Sequence, residues 1–208
     1  MNFFTTYGKE LLFKTWEHLY ISIISVALGI LVAIPLGILL YRMGKKSEFI
    51  INIIGFFQTI PSIALLSLMI PIFGIGKPPA IAALFLYSLL PILRNTYVGL
   101  STVNPDYIDT AKGMGMSASQ SLRKIELPLS MGVIMAGIRI STIYVISWTT
   151  LASYIGGGGL GDFIFNGLTL YRTDLLLMGT IPVTILALVI DYILKKVEQK
   201  LVEQAEGL

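Results

Sequence analysis

The sequence offers few side chains of the kinds that enzymes use. It contains no cysteine and one histidine, His18, so zinc, iron–sulfur and histidine-based catalytic sites are not expected. Gly156, Gly158 and Gly161 match the spacing G-x-G-x-x-G, which binds dinucleotides where a strand meets a helix, but no β-α-β pattern surrounds them. The phosphate-binding pattern G-x-x-x-x-G-K-[S/T] does not occur. We therefore predict no catalytic residue, no metal site and no cofactor in this chain.

The composition indicates a membrane protein. Of the 208 residues, 55% are apolar and 13% are charged, and the mean hydropathy is +0.80. Soluble domains carry roughly 25% charged residues, so the soluble globular, disordered and fibrous classes fit poorly. The net charge of +3 comes from basic residues scattered between apolar segments, so no nucleic-acid partner is expected. The predicted fold class is all-α and polytopic, surrounded by membrane lipid.

Long apolar segments predict about five transmembrane helices, because a bilayer core needs about 20 apolar helical residues. Pro61 and other helix breakers inside these segments predict kinked helices that pack as one domain over residues 19–200. Residues 1–18 carry charges opposite an apolar face, which predicts a separate interfacial helix, with a cleaved signal peptide as the alternative. Residues 201–208 would form a cytoplasmic tail. The five expected spans are residues 19–41, 49–74, 79–100, 128–155 and 175–194.

Basic residues outside the spans predict the orientation. The segments after spans 1, 3 and 5 hold nine lysines and arginines, whereas the other side holds four. Cytoplasmic segments are enriched in these residues. We therefore expect the N-terminus outside and the C-terminus in the cytoplasm. The nine are Arg42, Lys45, Lys46, Lys112, Arg123, Lys124, Lys195, Lys196 and Lys200, and the four are Lys9, Lys14, Lys77 and Arg172.

Three charged residues fall inside the expected spans: Arg94, Arg139 and Asp191. Each costs about 2.5–3.5 kcal/mol on insertion scales, so such residues normally face water or a partner. We expect Asp191 to pair with Arg94 or Arg139. The alternative is that Arg94 and Asp191 extend to the inner interface, which the nearby Lys195 favours for Asp191.

The longest polar stretch, residues 101–127, lies between spans 3 and 4 and carries helix signals. Asn104 is placed to cap a first short helix, and Gly113 and Gly115 would end it. Ser117 and Gln120 have the spacing of a capping box for a second short helix. Two short helices that project into the cytosol suit docking to another protein. A re-entrant connection without a partner remains the alternative.

In this loop Asp109-Thr110-Ala111 is followed by Gly115, Ile125 and Leu127-Pro128, and this arrangement resembles the EAA loop of ABC importer permeases. Asp109 and Thr110 differ from the Glu-Ala of that pattern but conserve charge and size, and every spacing matches. The resemblance implies that residues 109–121 form a coupling helix that docks on a separate ATPase, which supplies ATP hydrolysis with Mg. The implied coupling residues are Asp109, Thr110, Ala111, Gly115, Ile125, Leu127 and Pro128.

The resemblance extends over most of the chain, which is similar to the osmoprotectant branch of these permeases. It rests on residues 58–62, 89–97, 135–139 and 150–162. This branch implies import of glycine betaine, carnitine or choline through the bacterial plasma membrane. The implied partners are an ATPase dimer, a second permease subunit of the same or a related chain, and an extracytoplasmic substrate-binding protein. A methionine or other amino-acid permease is the alternative, ahead of a secondary transporter or a membrane scaffold.

A quaternary ammonium substrate suggests aromatic residues as its contacts, because aromatic faces attract cations. Tyr144 and Trp148 share one helical face and, with Tyr87, are candidates for the translocation path. Ordinary packing or an interfacial aromatic belt is the alternative. The glycine-rich turn beyond span 4 is a candidate external gate or docking surface, with a solvated turn as the alternative. Its residues are Gly156, Gly158, Gly161 and Asp162.

Overall fold

The computed structural model describes residues 3–44 and 47–206, which are helical and contain no strand. The predicted all-α fold class is confirmed. The α-helices in the described ranges are α1 (Phe3–Met43), α2 (Ser47–Thr59), α3 (Ser62–Phe73), α4 (Lys77–Ser101), α5 (Pro105–Gly113), α6 (Ala118–Ser121), α7 (Leu127–Thr149), α8 (Gly161–Thr169) and α9 (Thr173–Glu206). A π-helical turn, Leu122–Glu126, joins α6 to α7, and a 3-10 helix, Thr150–Ile155, follows α7.

Four helical segments in the described ranges are long and apolar enough to cross a membrane. They are formed by α1, α4, α7 with its flanking turns, and α9. The expected second span, residues 49–74, is instead a bent pair in which α2 and α3 meet at 95°. Pro61 explains the break, because proline lacks an N–H to donate and disfavours the helical conformation of the residue before it. The described residues therefore contain four candidate spans, or five when the bent pair counts as one.

The N-terminal segment differs from the expected separate interfacial helix. α1 runs from Phe3 to Met43 without a break near residue 18, because no helix breaker stands there. Tyr7 and Leu11 pack against a buried cluster that includes Phe163 of α8 and Met178 of α9. The first turns of α1 are thus part of the bundle, and they bring charged side chains into it.

α4 lies at the centre of the bundle, with α1 and α7 packed against it and α9 packed against α7. Glycines let these helices approach closely, as expected for membrane bundles. A Cβ added at Gly137 of α7 would stand 2.5 Å from the Cβ of Asn95 and 2.9 Å from the carbonyl oxygen of Pro91. Hydroxyl groups also join the helices, since Ser141 donates to the carbonyl of Ser88 at 3.1 Å.

Three further features differ from the expected segments. The second short helix of the loop is not separate, because α6 continues through the π-helical turn into α7. α8 was not expected, and it packs against α9 and the 3-10 helix. The expected tail after residue 200 remains helical as far as Glu206. Of the residues used above, Lys45, Lys46 and the last two of that tail lie outside the described residues.

Candidate functional site

The two ends of the bundle carry different polar features. At one end, the last turn of α1 meets the polar loop, where Arg42 donates to the carbonyl of Ala118 at 3.1 Å. At the other end, Lys77 at the start of α4 pairs with Glu17 of α1 at 2.7 Å. The segments expected in the cytoplasm and those expected outside therefore gather at opposite ends. We call them the loop end and the glycine end.

At the loop end, α5 ends in a Schellman turn at Gly115. Gly115 has a φ of +78°, in the left-handed region that favours glycine. Its N–H donates to the carbonyl of Lys112 at 2.9 Å, and the N–H of Met116 donates to that of Ala111 at 3.0 Å. Ala111 is fully buried. The alanine and glycine of the EAA-like pattern therefore have a local role, which is to fix the end of this helix.

The N-termini of α5 and α6 have the expected capping residues. The side chain of Asn104 accepts a hydrogen bond from the N–H of Asp106 at 3.0 Å. Ser117 and Gln120 form the predicted capping box. Both caps are confirmed, and they fix the loop as two short helices separated by the turn at Gly115.

The outward face of α5 is open to a partner. Asp109 and Thr110 are exposed, and Asp109 pairs with Lys112 at 2.9 Å. Two large apolar side chains are also exposed, since Tyr107 is 55% and Met114 is 63% accessible. Polar side chains beside exposed apolar ones on a short rigid helix form a surface that can bind protein.

The root of the loop is fixed in the bundle. Ile125 is half-buried in the π-helical turn, and Leu127 and Pro128 begin α7. Between them, Glu126 is buried and accepts a hydrogen bond from Ser121 at 2.7 Å. Because α6, the π-helical turn and α7 are continuous, a force on the loop would act directly on a membrane-spanning helix.

Of the three intramembrane charges, the structure brings Asp191 to Arg139. The Nε of Arg139 donates to Oδ1 of Asp191 at 2.5 Å, and its Nη1 donates to Glu198 at 3.1 Å. One guanidinium on α7 thus holds two carboxylates of α9. Arg94 of α4 is exposed and does not join this cluster.

We expect the Arg139 cluster to tie α9 to α7. Asp191→Asn should lower the apparent Tm of the detergent-solubilised chain by about 2–4 °C, because a charged acceptor of Arg139 is lost. The double variant Arg139→Asp with Asp191→Arg should recover part of this loss. Full recovery is not expected, because position 139 would then carry a carboxylate that faces Glu198. A Tm unchanged by Asp191→Asn in a thermal scan would contradict this role.

The three candidate aromatic residues form one stack. The ring centroids of Tyr87 and Trp148 are 4.6 Å apart, and those of Trp148 and Tyr144 are 5.6 Å apart. Tyr87 is the buried end, and its hydroxyl donates to the carbonyl of Ile60 at 2.5 Å, at the break between α2 and α3. Tyr144 is the exposed end, with 49% of its surface accessible. The stack therefore presents an open aromatic face between α4 and α7.

At the glycine end, four charged side chains form a connected cluster. Glu17 is buried and pairs with Lys14 at 3.1 Å and with Lys77 at 2.7 Å. Lys14 also pairs with Asp162 at 2.5 Å, and Asp162 accepts a hydrogen bond from Ser153. The cluster links α1, α4, the 3-10 helix and α8.

The glycine-rich turn folds over this cluster. Gly156, Gly158 and Gly159 all have positive φ, between +75° and +89°. The N–H of Gly159 points at Glu17 at 3.4 Å, and a Cβ at Gly158 would stand 2.6 Å from a carboxylate oxygen of Glu17. Gly161 is buried, and its Cβ would stand 2.0 Å from the carbonyl oxygen of Thr150. The turn is therefore held by close contacts with the bundle.

We expect Glu17 to keep this turn closed. Glu17→Gln would remove the charge that balances Lys14 and Lys77 and weaken the bond to Gly159. Because the natural chain has no cysteine, Ile155→Cys reports opening of the turn, since Ile155 is 5% accessible. Its labelling by a membrane-impermeant maleimide should be faster in the Glu17→Gln background. Tyr154→Cys, at a site that is 66% accessible, is the positive control. Equal labelling rates with and without Glu17 would contradict this role.

Several polar residues of the site were not found from the sequence. Glu17 was one of the charges placed on the polar face of the expected interfacial helix, Lys77 was used only to predict the orientation, and Glu198 was assigned no role. His18 is fully buried, with its Nε2 donating to the carbonyl of Ile146 at 2.9 Å. The available signal was that Glu17 and His18 directly precede an apolar segment, where a continuous helix would bury them.

The helical bundle and its capped loop match a known family of membrane transport proteins. Residues 25–203 match the family described as binding-protein-dependent transport system inner membrane component. The chain belongs to this family of multi-pass membrane permeases.

The chain is similar to three permeases from Bacillus subtilis and Listeria monocytogenes. The choline transport system permease protein OpuBB of Bacillus subtilis is 57% identical over 97% of this chain and 93% of its own length. The glycine betaine/carnitine/choline transport system permease protein OpuCB of the same organism is 56% identical over 96% and 92%. The carnitine transport permease protein OpuCB of Listeria monocytogenes is 55% identical over 99% and 94%.

The fold is also similar to that of solved transporters. A chain of the MetNI methionine ABC transporter in an inward-facing conformation superimposes with a TM-score of 0.84 at 24% identity. The match covers 92% of this chain and 95% of that one. At this identity the likeness shows a common fold and carries no argument about the substrate.

Proposed function

We propose that this chain is the membrane permease subunit of an ATP-driven importer of quaternary ammonium compatible solutes, namely glycine betaine, carnitine and choline. The observation that carries the proposal is the identity of 55–57% over 96–99% of the chain to permeases named for these solutes. Import of methionine or another amino acid is the weaker alternative.

ATP hydrolysis with Mg would be performed by a separate ATPase dimer that docks at the loop end. The exposed face of α5 supports this assignment, because it offers a rigid surface rather than a nucleotide site. Asp109, Thr110, Ala111, Gly115, Ile125, Leu127 and Pro128 would act together. The first two would contact the ATPase, and the others would fix the loop and its junction with α7. Movement of the ATPase would then reach α7 as a rigid-body displacement.

The glycine end would face the outside of the bacterial plasma membrane, and the loop end and the C-terminus would face the cytoplasm. The excess of basic residues at the loop end supports this orientation. An extracytoplasmic substrate-binding protein would dock over the turn at Gly156–Gly161 and beside Asp162. A second permease subunit, of this or a related chain, would complete the path.

The aromatic stack would provide the contact for the quaternary ammonium group. Tyr144 would present its free face and Trp148 would lie behind it, since Tyr144 is half exposed and a cation within about 6 Å of an aromatic ring is attracted to it. Tyr87 would support Trp148 from behind, because its hydroxyl is engaged with Ile60.

The proposal is tested by uptake in cells that lack their own compatible-solute importers. This chain is co-expressed with the ATPase and binding protein encoded beside it, at high and low salt, and labelled glycine betaine, carnitine, choline and methionine are supplied separately. The expected result is uptake of at least one of the first three that requires this chain and an active ATPase. Uptake of methionine alone, with the assembled complex verified in the membrane, would contradict the substrate class.

A further inference from the structure

We propose that Arg94 is a specificity-determining residue of the translocation path and that it recognises the carboxylate of zwitterionic solutes. This inference rests on the function proposed above. Glycine betaine and carnitine carry a carboxylate, whereas choline carries a hydroxyl. Arg94 would therefore favour the first two over choline.

The first observation is that Arg94 lacks a partner in the part of the chain that the structure describes. It is exposed seven residues before the end of α4, and among the described residues no hydrogen bond or ion pair engages it. The carboxylates of Asp191 and Glu198 on α9 are already bound by Arg139. A charge inside a membrane span that is not paired in its own chain is expected to face water or a ligand.

The second observation is the face of α4 on which Arg94 lies. The sides toward α7 and α1 are occupied, since Gly137 packs at Asn95 and Gly37 packs at Thr96. Arg94 instead shares its side with Tyr87, seven residues earlier, and with Val98, which is 40% accessible. Arg94 therefore lies on the same side of α4 as Tyr87, the member of the aromatic stack that α4 contributes.

The third observation is the spacing along this side. Seven residues correspond to a rise of about 10 Å between the Cα atoms of Tyr87 and Arg94. Side chains of a helix tend to lean toward its N-terminus, which is the direction from Arg94 to Tyr87, so the guanidinium would lie closer to the stack than the Cα of Arg94 does. A small solute leaving the stack with its ammonium end would meet the guanidinium with its other end.

The chemistry separates the three solutes. Arginine can bind a carboxylate through two parallel charge-assisted hydrogen bonds. For choline the same guanidinium offers no charge pairing and repels the ammonium group. Removing the positive charge should therefore weaken transport of carboxylate-bearing solutes and relieve repulsion of choline.

The test measures uptake of glycine betaine, carnitine and choline by Arg94→Gln, Arg94→Lys and the wild type. The assembled complex is used, and uptake is normalised to the amount in the membrane. We expect Arg94→Gln to lower the uptake ratio of glycine betaine to choline, and of carnitine to choline, by about tenfold, which is the loss of roughly 1.4 kcal/mol of discrimination. Arg94→Lys should keep part of each ratio, because it keeps the charge but loses the two-bond geometry.

Arg139→Gln is the matched control, because Arg139 binds Asp191 and Glu198 of its own chain. This variant should lower the uptake of all three solutes without changing the uptake ratios. Unchanged ratios in Arg94→Gln, with all three solutes imported by the wild type, would overturn the role of Arg94 and leave the proposed function standing. A wild type that imports choline alone would also overturn it. A wild type that imports none of the three would reject the proposed function together with this inference.

Discussion

Gly115→Val is expected to reduce ATP-driven uptake by about tenfold while leaving the amount of chain in the membrane unchanged. Gly115 has a φ of +78°, and a non-glycine residue in the left-handed region costs about 1–2 kcal/mol, more when it is β-branched. No atom lies within 4 Å of the added Cβ, so the cost comes from the backbone rather than from a clash. The Schellman turn would open, and α5 would lose its orientation. Uptake and membrane content are measured in the same cells.

Gly113 provides the matched control for this prediction. It also has open space around its would-be Cβ, but its φ is not positive. Gly113→Val should therefore retain most of the uptake. Gly115→Asn should retain more than Gly115→Val, because asparagine tolerates the left-handed conformation. Equal uptake by Gly113→Val and Gly115→Val would show that the turn at Gly115 does not orient the coupling surface.

Gly137→Val is expected to prevent stable assembly of the bundle. Its Cβ would stand 2.5 Å from the Cβ of Asn95 and 2.9 Å from the carbonyl oxygen of Pro91, and the carbonyl belongs to a helix backbone that cannot move locally. Overpacking of this kind costs about 1–3 kcal/mol or more. Because α4 and α7 form the centre of the bundle, the cost falls on the whole domain. The measurement is the yield of monodisperse protein in fluorescence-detected size-exclusion chromatography.

Gly8→Val is the control, because Gly8 is also a helical glycine but has no atom within 4 Å of its would-be Cβ. Its yield should match that of the wild type. A Gly137→Val variant that elutes as a monodisperse peak at the wild-type yield would mean that α4 and α7 are not packed through Gly137.

Local signals made the loop end predictable. Asn104, Ser117 and Gln120 are capping residues whose bonds form within a few positions of the chain, and the structure has these caps where the sequence indicates them. The roles of the alanine and glycine of the EAA-like pattern are also local, because the Schellman turn that they form joins residues five positions apart. Short-range hydrogen bonds depend on sequence spacing alone.

The glycine end depended on contacts between distant segments and was less predictable. Glu17 is bound by Lys77 and by Gly159, which lie 60 and 142 positions away along the chain. Nothing in the spacing around Glu17 shows these partners. The continuity of α1 was also missed, because Lys14 and Glu17 were placed on the polar face of a separate interfacial helix, whereas Asp162 and Lys77 bind them within the bundle.

The break in the second span could be predicted only in part. Pro61 was recognised as a kink, but the 95° angle between α2 and α3 depends on where Tyr87 and Gln58 bind. Tyr87 holds the carbonyl of Ile60, and Gln58 donates to the carbonyl of Tyr87 at 3.0 Å. A proline indicates that a helix bends, whereas the angle of the bend is set by the packing around it.

The central claim, that this permease imports quaternary ammonium solutes with energy from a separate ATPase, is tested most directly in proteoliposomes. The purified permease and ATPase are reconstituted, the binding protein and labelled glycine betaine, carnitine or choline are added outside, and ATP with Mg is enclosed. We expect accumulation of label only when ATP is enclosed and only when the binding protein is present. Accumulation without ATP, or no accumulation of any of the three solutes by the assembled complex, would contradict the account.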